Sequence, residues 1–333
     1  MRAIAIVGPT ASGKSDLALA LAHRLDGEII SCDSMQVYRR LDVGTAKPSL
    51  TEREGILHHM IDVVDPDEDF SAAEYGKMAR EVLSEIRARG ALPIVCGGTG
   101  LYLEALRFDR HKSSPGADET LRASLMAEAE EEGGAERLYA RLLRLDPITA
   151  EKVHPNNIRR VVRALELCSL SGRTKSELDA ESQSEESKVD LLVFCLCYND
   201  RAILADRINR RVDKMVEAGL ISEVESLWRD GLLAPGKTAE QAIGYRQLIP
   251  YFEGKITLDE AIEDIKTATR RYAKRQMTWF RRTEGVQMIV VDGGDAPMTR
   301  DGLADLLLPM IEAWEKDKDE RKDTHSNESK TDS

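Results

Sequence analysis

The sequence predicts an α/β fold, a parallel sheet interrupted by a helical insertion, and three observations predict it. Apolar runs of strand length alternate with helical stretches in the N-terminal third. A glycine-rich segment joins the first such run directly to the first helical one. Strand signal then disappears for some seventy residues and returns as one apolar run, Val189–Tyr198. Alternation of this kind gives parallel strands with helices on both faces. In chain order, residues 3–7 read as a short buried strand and Lys14–Leu25 as a helix. Glu28–Cys32 follows as a strand, Ala72–Arg89 as a helix and Leu92–Cys96 as a strand. His111–Gly116 is loop-like, the charged stretch from Glu119 to Gly172 is helical, and the Ser-, Glu- and Lys-rich residues 173–188 read as an exposed connector. Long helices are expected over Ala202–Arg229 and Leu258–Arg282, with a last strand at Val286–Val291. The expected units are a core of residues 1–112 and 186–313, a helical insertion of 113–185, and a disordered polar tail of 314–333.

Composition narrows the class without choosing a function. The apolar and charged fractions, 42% and 32% of 333 residues, are those of a soluble globular protein. No apolar run approaches the length of a membrane span. Met1–Val7 enters a strand pattern at once, so no leader peptide is expected and the cytoplasm is the expected location. The five cysteines, Cys32, Cys96, Cys168, Cys195 and Cys197, contain no CxxC pair and read as buried reduced thiols. A net charge of −12 argues weakly against nucleic acid, but distribution matters more than the sum. Arg270–Thr283 holds several arginines and lysines and no acid, and Arg159, Arg160 and Arg163 form a second basic cluster.

Gly8-Pro9-Thr10-Ala11-Ser12-Gly13-Lys14-Ser15 matches GxxxxGK followed by serine, after a strand and opening a helix. The glycines let backbone N–H groups turn around phosphate oxygens, the helix N-terminus adds partial positive charge, and Lys14 brings a full one. Ser15 stands where a hydroxyl ligates Mg²⁺. The expected core is therefore a P-loop NTPase-like parallel sheet, with a polyphosphate held at the loop. The strand ending at Cys96 runs into Gly97-Gly98-Thr99-Gly100, where many P-loop NTPases place a Mg-binding aspartate; no acid stands there. Asp33 also ends a strand, and from position alone it reads as a base, a Mg-associated carboxylate or a cap. Arg207 and Arg211, four apart, share one helix face, which is either a diphosphate contact or a solvated charged face. His58-His59 looks like a metal pair, but adjacent side chains diverge and no third ligand is near in sequence.

Several further segments occur in one order. They are Ser31–Tyr38, Leu41–Pro48, Gly97–Tyr102, His154–Asn157 with Arg159–Arg163 and Glu166, Ala242–Gln247, and Lys274–Arg281. Together with the P-loop they resemble the tRNA dimethylallyltransferase family, bacterial type, over about residues 3–292. The resemblance implies transfer of a dimethylallyl group from dimethylallyl diphosphate, with Mg²⁺, to N6 of the adenine just 3′ of the anticodon. The acceptors it implies are tRNAs reading codons that begin with U. It implies that Asp33 is the catalytic base, that Thr99 contacts the reacting region, and that Lys14, the loop and an arginine from Arg207 or Arg211 meet the diphosphate. It further implies contacts to the tRNA anticodon stem-loop from Asp33, Ser34, Met35, Gln36, Thr99 and Arg122. Arg159, Arg160, Val161, Val162 and Arg163 join that set, as do Ala242, Ile243, Gly244, Tyr245, Arg246 and Gln247. So do Lys274, Arg275, Gln276, Met277, Thr278, Trp279, Phe280 and Arg281. The expected state is a monomer without membrane attachment. Competing readings are an adenylate prenyltransferase of the cytokinin-forming type, a P-loop small-molecule kinase and a non-catalytic RNA-binding protein.

Overall fold

The computed structural model describes residues 1–108, 118–183, 187–234, 237–294 and 297–328. The expected loop His111–Gly116 and the expected unit boundaries at 112/113 and 185/186 lie outside the described residues. In chain order the elements are β1 (Arg2–Val7), α1 (Lys14–Leu25), β2 (Gly27–Cys32), β3 (His58–His59), α2 (Ala72–Ala88), β4 (Leu92–Gly97) and α3 (Gly100–Arg107). There follow α4 (Glu119–Glu130), α5 (Gly134–Leu145), α6 (Pro147–Lys152), α7 (Ile158–Ser171) and α8 (Lys175–Gln183). The chain continues with β5 (Asp190–Cys197), α9 (Arg201–Glu217), α10 (Leu220–Arg229), α11 (Tyr245–Phe252), α12 (Leu258–Phe280), β6 (Val286–Val290) and α13 (Arg300–Glu328). Residues 1–107 and 189–333 make one compact unit and residues 108–188 a second.

The larger unit is built on one sheet of strand order β3-β2-β4-β1-β5-β6, parallel throughout. Its strands are apolar on both faces, as strands covered on both sides must be. Ala3, Ala5 and Val7 of β1 pack on one side with Tyr75, Leu83, Val224, Tyr245 and Phe280. Ile4 and Ile6 pack on the other with Leu17, Leu21, Leu303 and Leu307. The period of two along each strand thus assigns α2, α3, α10, α11 and α12 to one face and α1 and α13 to the other. Capping boxes start α2 (Ser71 with Glu74) and α12 (Thr257 with Glu260), satisfying first-turn amides from the sequence itself.

The smaller unit has its own core, in which Leu125, Leu138, Leu142, Val161, Val162 and Leu165 meet. Its α7 carries a carboxylate inward. Glu166, with a fully buried side chain, accepts from the Asp118 N–H (2.9 Å), from Arg163 (2.8 Å) and from Arg122 (3.2 Å).

Several sequence expectations change. The helix expected over Ala202–Arg229 is two helices, because Gly219 adopts φ 104, a left-handed value that breaks the run and caps α10. The stretch read as a connector contains α8, an exposed helix whose polarity had hidden it. The tail expected to be disordered from residue 314 is helical through Glu328, since Lys-, Glu-, Asp- and Arg-rich sequence without Pro or Gly extends α13. Trp314 itself lies under the Arg2 guanidinium, 3.6 Å from ring centroid to Cζ. His58 and His59 form an unexpected edge strand. His59 Nε2 lies 2.6 Å from Glu28, and His58 Nδ1 lies 3.0 Å from the Ile56 carbonyl. Among the described residues, no helix is long and apolar enough to cross a membrane.

Candidate active site

Three neighbouring strands, β2, β4 and β1, deliver the candidate residues to one edge of the sheet. β1 runs into the glycine loop, β2 into Asp33 and β4 into Gly98–Thr99. With adjacent strands roughly 4.8 Å apart, Lys14 and Asp33 start from points separated by about two strand spacings. This is the C-terminal edge, where parallel sheets bind ligands.

The loop is held open by its neighbours. Gly13, at φ 90, is the N-cap of α1 and supplies no side-chain cap, so the first-turn amides of that helix face the loop unopposed. Gln276 of α12, buried, accepts from the Thr10 N–H (3.0 Å) and donates to the Gly98 carbonyl (2.9 Å), tying the P-loop to the β4 loop with one amide. Arg207 Nε donates to the Ala11 carbonyl (2.9 Å), bracing the loop from α9. Arg211, one turn further, has a buried Nε–H with no hydrogen-bond partner, and the buried Ser12 hydroxyl has none either.

Electrostatics at this edge are unbalanced toward positive charge. Lys14 is half-buried as a residue, yet its ammonium is deep enough that desolvation, then the nearby Arg211 charge, pushes it below its ordinary value; Asp33 pulls the other way. Burial likewise lowers Arg211, with Asp33 and Asp16 opposing. Two cations crowded together with an incomplete set of partners make a site that gains by taking up an anion.

On the Asp33 side, one carboxylate oxygen accepts from the Met35 N–H (2.9 Å), which fixes its orientation. Thr99 Oγ1 accepts from the Ser34 N–H (3.0 Å) and donates to Ser34 Oγ (3.4 Å), and the Thr99 N–H donates to the Cys32 carbonyl (3.1 Å). Gln36 accepts from Ser31 Oγ (2.8 Å) and donates to the Thr45 and Ala46 carbonyls (both 3.3 Å). Asp33, Ser34, Met35 and Gln36 line a cavity of ≈ 260 Å³ together with Lys14, Ser15, Arg211, Tyr272 and Arg275, whereas Thr99 is not among its lining residues. Its apolar wall comes from Leu19, Ile29, Val212, Met215, Leu220 and Ile265. A second, basic recess of ≈ 360 Å³ adjoins the other side of Lys14, Ser15 and Arg211, lined also by Arg207, Arg210 and Lys214.

The residues expected to touch RNA separate by helix face. On α7, Arg159 and Arg160 are exposed, whereas Val161 and Val162 are buried in the small unit's core and present no surface. Arg163 and Arg122 are committed to Glu166. On α12, Lys274, Arg275, Thr278, Trp279 and Arg281 are exposed, Met277 packs on the core, and Gln276 and Phe280 are buried. In the Ala242–Gln247 segment, Ala242, Gly244 and Tyr245 are buried, and the Tyr245 hydroxyl donates to Glu223. Ile243 is half-buried in the cavity wall, Arg246 is exposed and 3.7 Å from Glu240, and Gln247 accepts from the Gly244 N–H. Burial does not by itself remove a residue from the site, since Ala242, Gly244 and Gln276 line the cavity; on α7 and α12 the helical period turns some motif residues outward and others into the core. Tyr272 was not singled out in the sequence. Its spacing of one turn before Gln276, on the same face of α12, was the available signal.

Residues 36–283 match the family model described as IPP transferase. The chain is 49% identical over 276 residues to a tRNA dimethylallyltransferase of Geobacillus kaustophilus (strain HTA426), covering 83% of this chain and 86% of that one. It is 46% identical over 290 residues to a tRNA dimethylallyltransferase of Thermoanaerobacter sp. (strain X514), covering 87% and 91%. Among solved structures it is similar to the full-length tRNA isopentenylpyrophosphate transferase of Bacillus halodurans (TM-score 0.67, 41% identity, 95% and 99% of the two chains). It is similar also to a eukaryotic dimethylallyltransferase acting on tRNA (TM-score 0.73, 32% identity, 87% and 73%).

Proposed function

The chain belongs to the IPP transferase family, and from that premise we propose that it is a tRNA prenyltransferase that moves a dimethylallyl group from dimethylallyl diphosphate to N6 of an adenine. The adenine is the one immediately 3′ of the anticodon, in tRNAs reading codons that begin with U. The observation that carries the reading is a single sheet edge holding a cationic phosphate cradle, Lys14 with the unpartnered Arg211 Nε–H, beside an oriented carboxylate, Asp33. One half suits a departing anion and the other a departing proton.

An exocyclic adenine amine is a poor nucleophile, since its lone pair is delocalised into the ring. Its attack on the allylic carbon forms the N6–C bond as the C–O bond to diphosphate breaks. Asp33 takes the N6 proton with the carboxylate oxygen that Met35 does not occupy. Lys14, Arg211 and the loop amides stabilise the charge accumulating on the leaving diphosphate. Thr99, whose hydroxyl accepts the Ser34 N–H, holds the Asp33 loop against the β4 loop, two residues beyond Gly97 of the cavity lining. The apolar cavity wall suits a branched hydrocarbon tail and keeps water from the allylic carbon.

Magnesium fits this donor set as a shared ion. The described residues contain no group of three or more His, Cys, Asp or Glu side chains able to hold a metal alone. Ser15 and Asp33 offer oxygen at the cavity, which suits a hard cation that keeps waters and takes its other ligands from substrate phosphates. Ser15 would hold it, and the ion would neutralise charge on the leaving diphosphate. Within the insertion unit the exposed Arg159 and Arg160 of α7 suit RNA phosphates, and within the larger unit the exposed bases of α12 with Trp279 do the same.

The test supplies labelled dimethylallyl diphosphate and Mg²⁺ with either an unmodified tRNA whose anticodon is followed by adenines or AMP. Label in the tRNA alone is expected. Label in AMP would move the protein to nucleotide prenylation, and label in neither acceptor would sink prenyl transfer.

A further inference from the structure

One carboxylate outside the catalytic edge collects four donors. Glu223 of α10 accepts the N–H groups of Asp42 (3.0 Å), Val43 (2.7 Å) and Gly44 (3.0 Å), together with the Tyr245 hydroxyl of α11. The loop it grips cannot sit elsewhere on that helix pair. A Cβ at Gly44 would fall 2.3 Å from the Tyr245 ring, so the backbone there lies directly on the tyrosine. Beyond the gripped amides, Gly44, Thr45 and Ala46 line the cavity that contains Asp33. The carbonyls of Thr45 and Ala46 are the acceptors for Gln36 Nε2, and Gln36 in turn takes the Ser31 hydroxyl. A continuous chain of bonds therefore runs from Glu223, through loop 42–46, to Gln36 and the strand that ends in Asp33.

We propose that Glu223 is a positioning residue for the acceptor base: it sets the loop 42–46 wall and, through it, Gln36, leaving the diphosphate side untouched. The proposal rests on the tRNA-prenylation reading. A carboxylate is suited to the task because hydrogen bonds to an ionised acceptor are about twice as strong as neutral ones, and its two oxygens serve all four donors. An amide in its place keeps the shape but turns an NH₂ toward N–H and O–H donors. Among the described residues, the diphosphate cradle of Lys14, Gln276, Arg207 and Arg211 shares no hydrogen bond with this chain.

The experiment measures steady-state transfer by full-length wild type, Glu223→Gln and Tyr245→Phe, varying tRNA and dimethylallyl diphosphate separately. Glu223→Gln is expected to raise KM for tRNA about tenfold, with KM for dimethylallyl diphosphate staying within about twofold. Tyr245→Phe removes one of the four donors and is expected to raise KM for tRNA about threefold. A parallel rise in both constants, or a fall in kcat with both unchanged, would show a general structural role and overturn the proposal. Should Glu223→Gln not fold, Tyr245→Phe decides: an unaltered KM for tRNA overturns the proposal and a selective rise supports it. Transfer by wild type with neither constant altered in the variants removes Glu223 from the role and leaves the prenylation reading standing. No transfer by wild type removes both.

Discussion

The proposed mechanism divides the labour of one reaction between Asp33 and Lys14, and substitutions should separate the two. On that mechanism Asp33 is needed when the N6 proton leaves, a demand that arises on the way to the transition state and hardly at all in the bound acceptor. Asp33→Ala is therefore expected to lower kcat by at least about a hundredfold, while Kd for tRNA, measured by filter binding, changes no more than a few-fold. Unchanged turnover would dismiss Asp33 as the base. Lys14 meets its partner in the ground state already, because diphosphate is an anion before and after the reaction. Lys14→Ala is expected to raise KM for dimethylallyl diphosphate about tenfold or more, and an unchanged constant would mean that the loop grips something else. The sequence makes Lys14 legible, since a strand, a glycine loop and a lysine at fixed spacing leave little choice. Asp33 reads from position as a base, a Mg-associated carboxylate or a cap, and gains its role only through the family resemblance. In the sequence Arg211 is indistinguishable from Arg207 as a diphosphate contact. What divides them is a tertiary fact: Arg207 spends its Nε–H on the Ala11 carbonyl, and Arg211 keeps its own unspent.

At the scale of elements, α7 shows how one helix serves a core and a surface at once. Val161, Val162 and Leu165 close the small unit's interior, Arg159 and Arg160 face outward, and Glu166 anchors Arg163, Arg122 and the start of α4. Burial alone would raise the Glu166 carboxyl. The bonds from Arg163 and the Asp118 amide, with the charge of Arg122, outweigh burial and hold it below the ordinary carboxylate value. A carboxyl depressed in the folded state contributes stability that is present above its unfolded pKa and is lost as pH falls through its folded one. Glu166→Gln is thus expected to lower the Tm of unfolding at pH 7. With a buried carboxylate but both arginines more than a third exposed, the loss is about 1–2 kcal/mol, and the gap from wild type should narrow as pH drops below about 4. A gap independent of pH would show that packing, rather than charge, is what Glu166 supplies. Helix α12 divides in the same way: Gln276 and Phe280 turn inward while Lys274, Trp279 and Arg281 remain outside.

The molecule as a whole is acidic, at −12, so its RNA contacts depend on where the bases lie. Affinity for tRNA is expected to fall steadily as salt rises, because phosphate contacts release counterions. Arg159→Ala and Arg160→Ala should each weaken binding and reduce the slope of log Kd against log salt by up to about one. A flat dependence would demote both basic helices to solvated surface. The same global charge disfavours non-specific polyanion binding, leaving selectivity to the local patches.

The sequence by itself determined the parallel α/β core, its helical insertion and the three strand-end motifs, because strand period, glycine placement and the P-loop spacing are local properties of the chain. It also determined the family, through many short motifs in one order. Only the tertiary structure decided which members of each motif are exposed, which line the cavity and which pack in a core, since Val161, Tyr245, Gln276 and Phe280 look no different in sequence from their exposed neighbours. Only it could reveal Glu223, three of whose four partners lie 179 to 181 positions away in the chain. Bonds of that span carry no local periodicity, and they exist because the sheet brings distant loops to one edge.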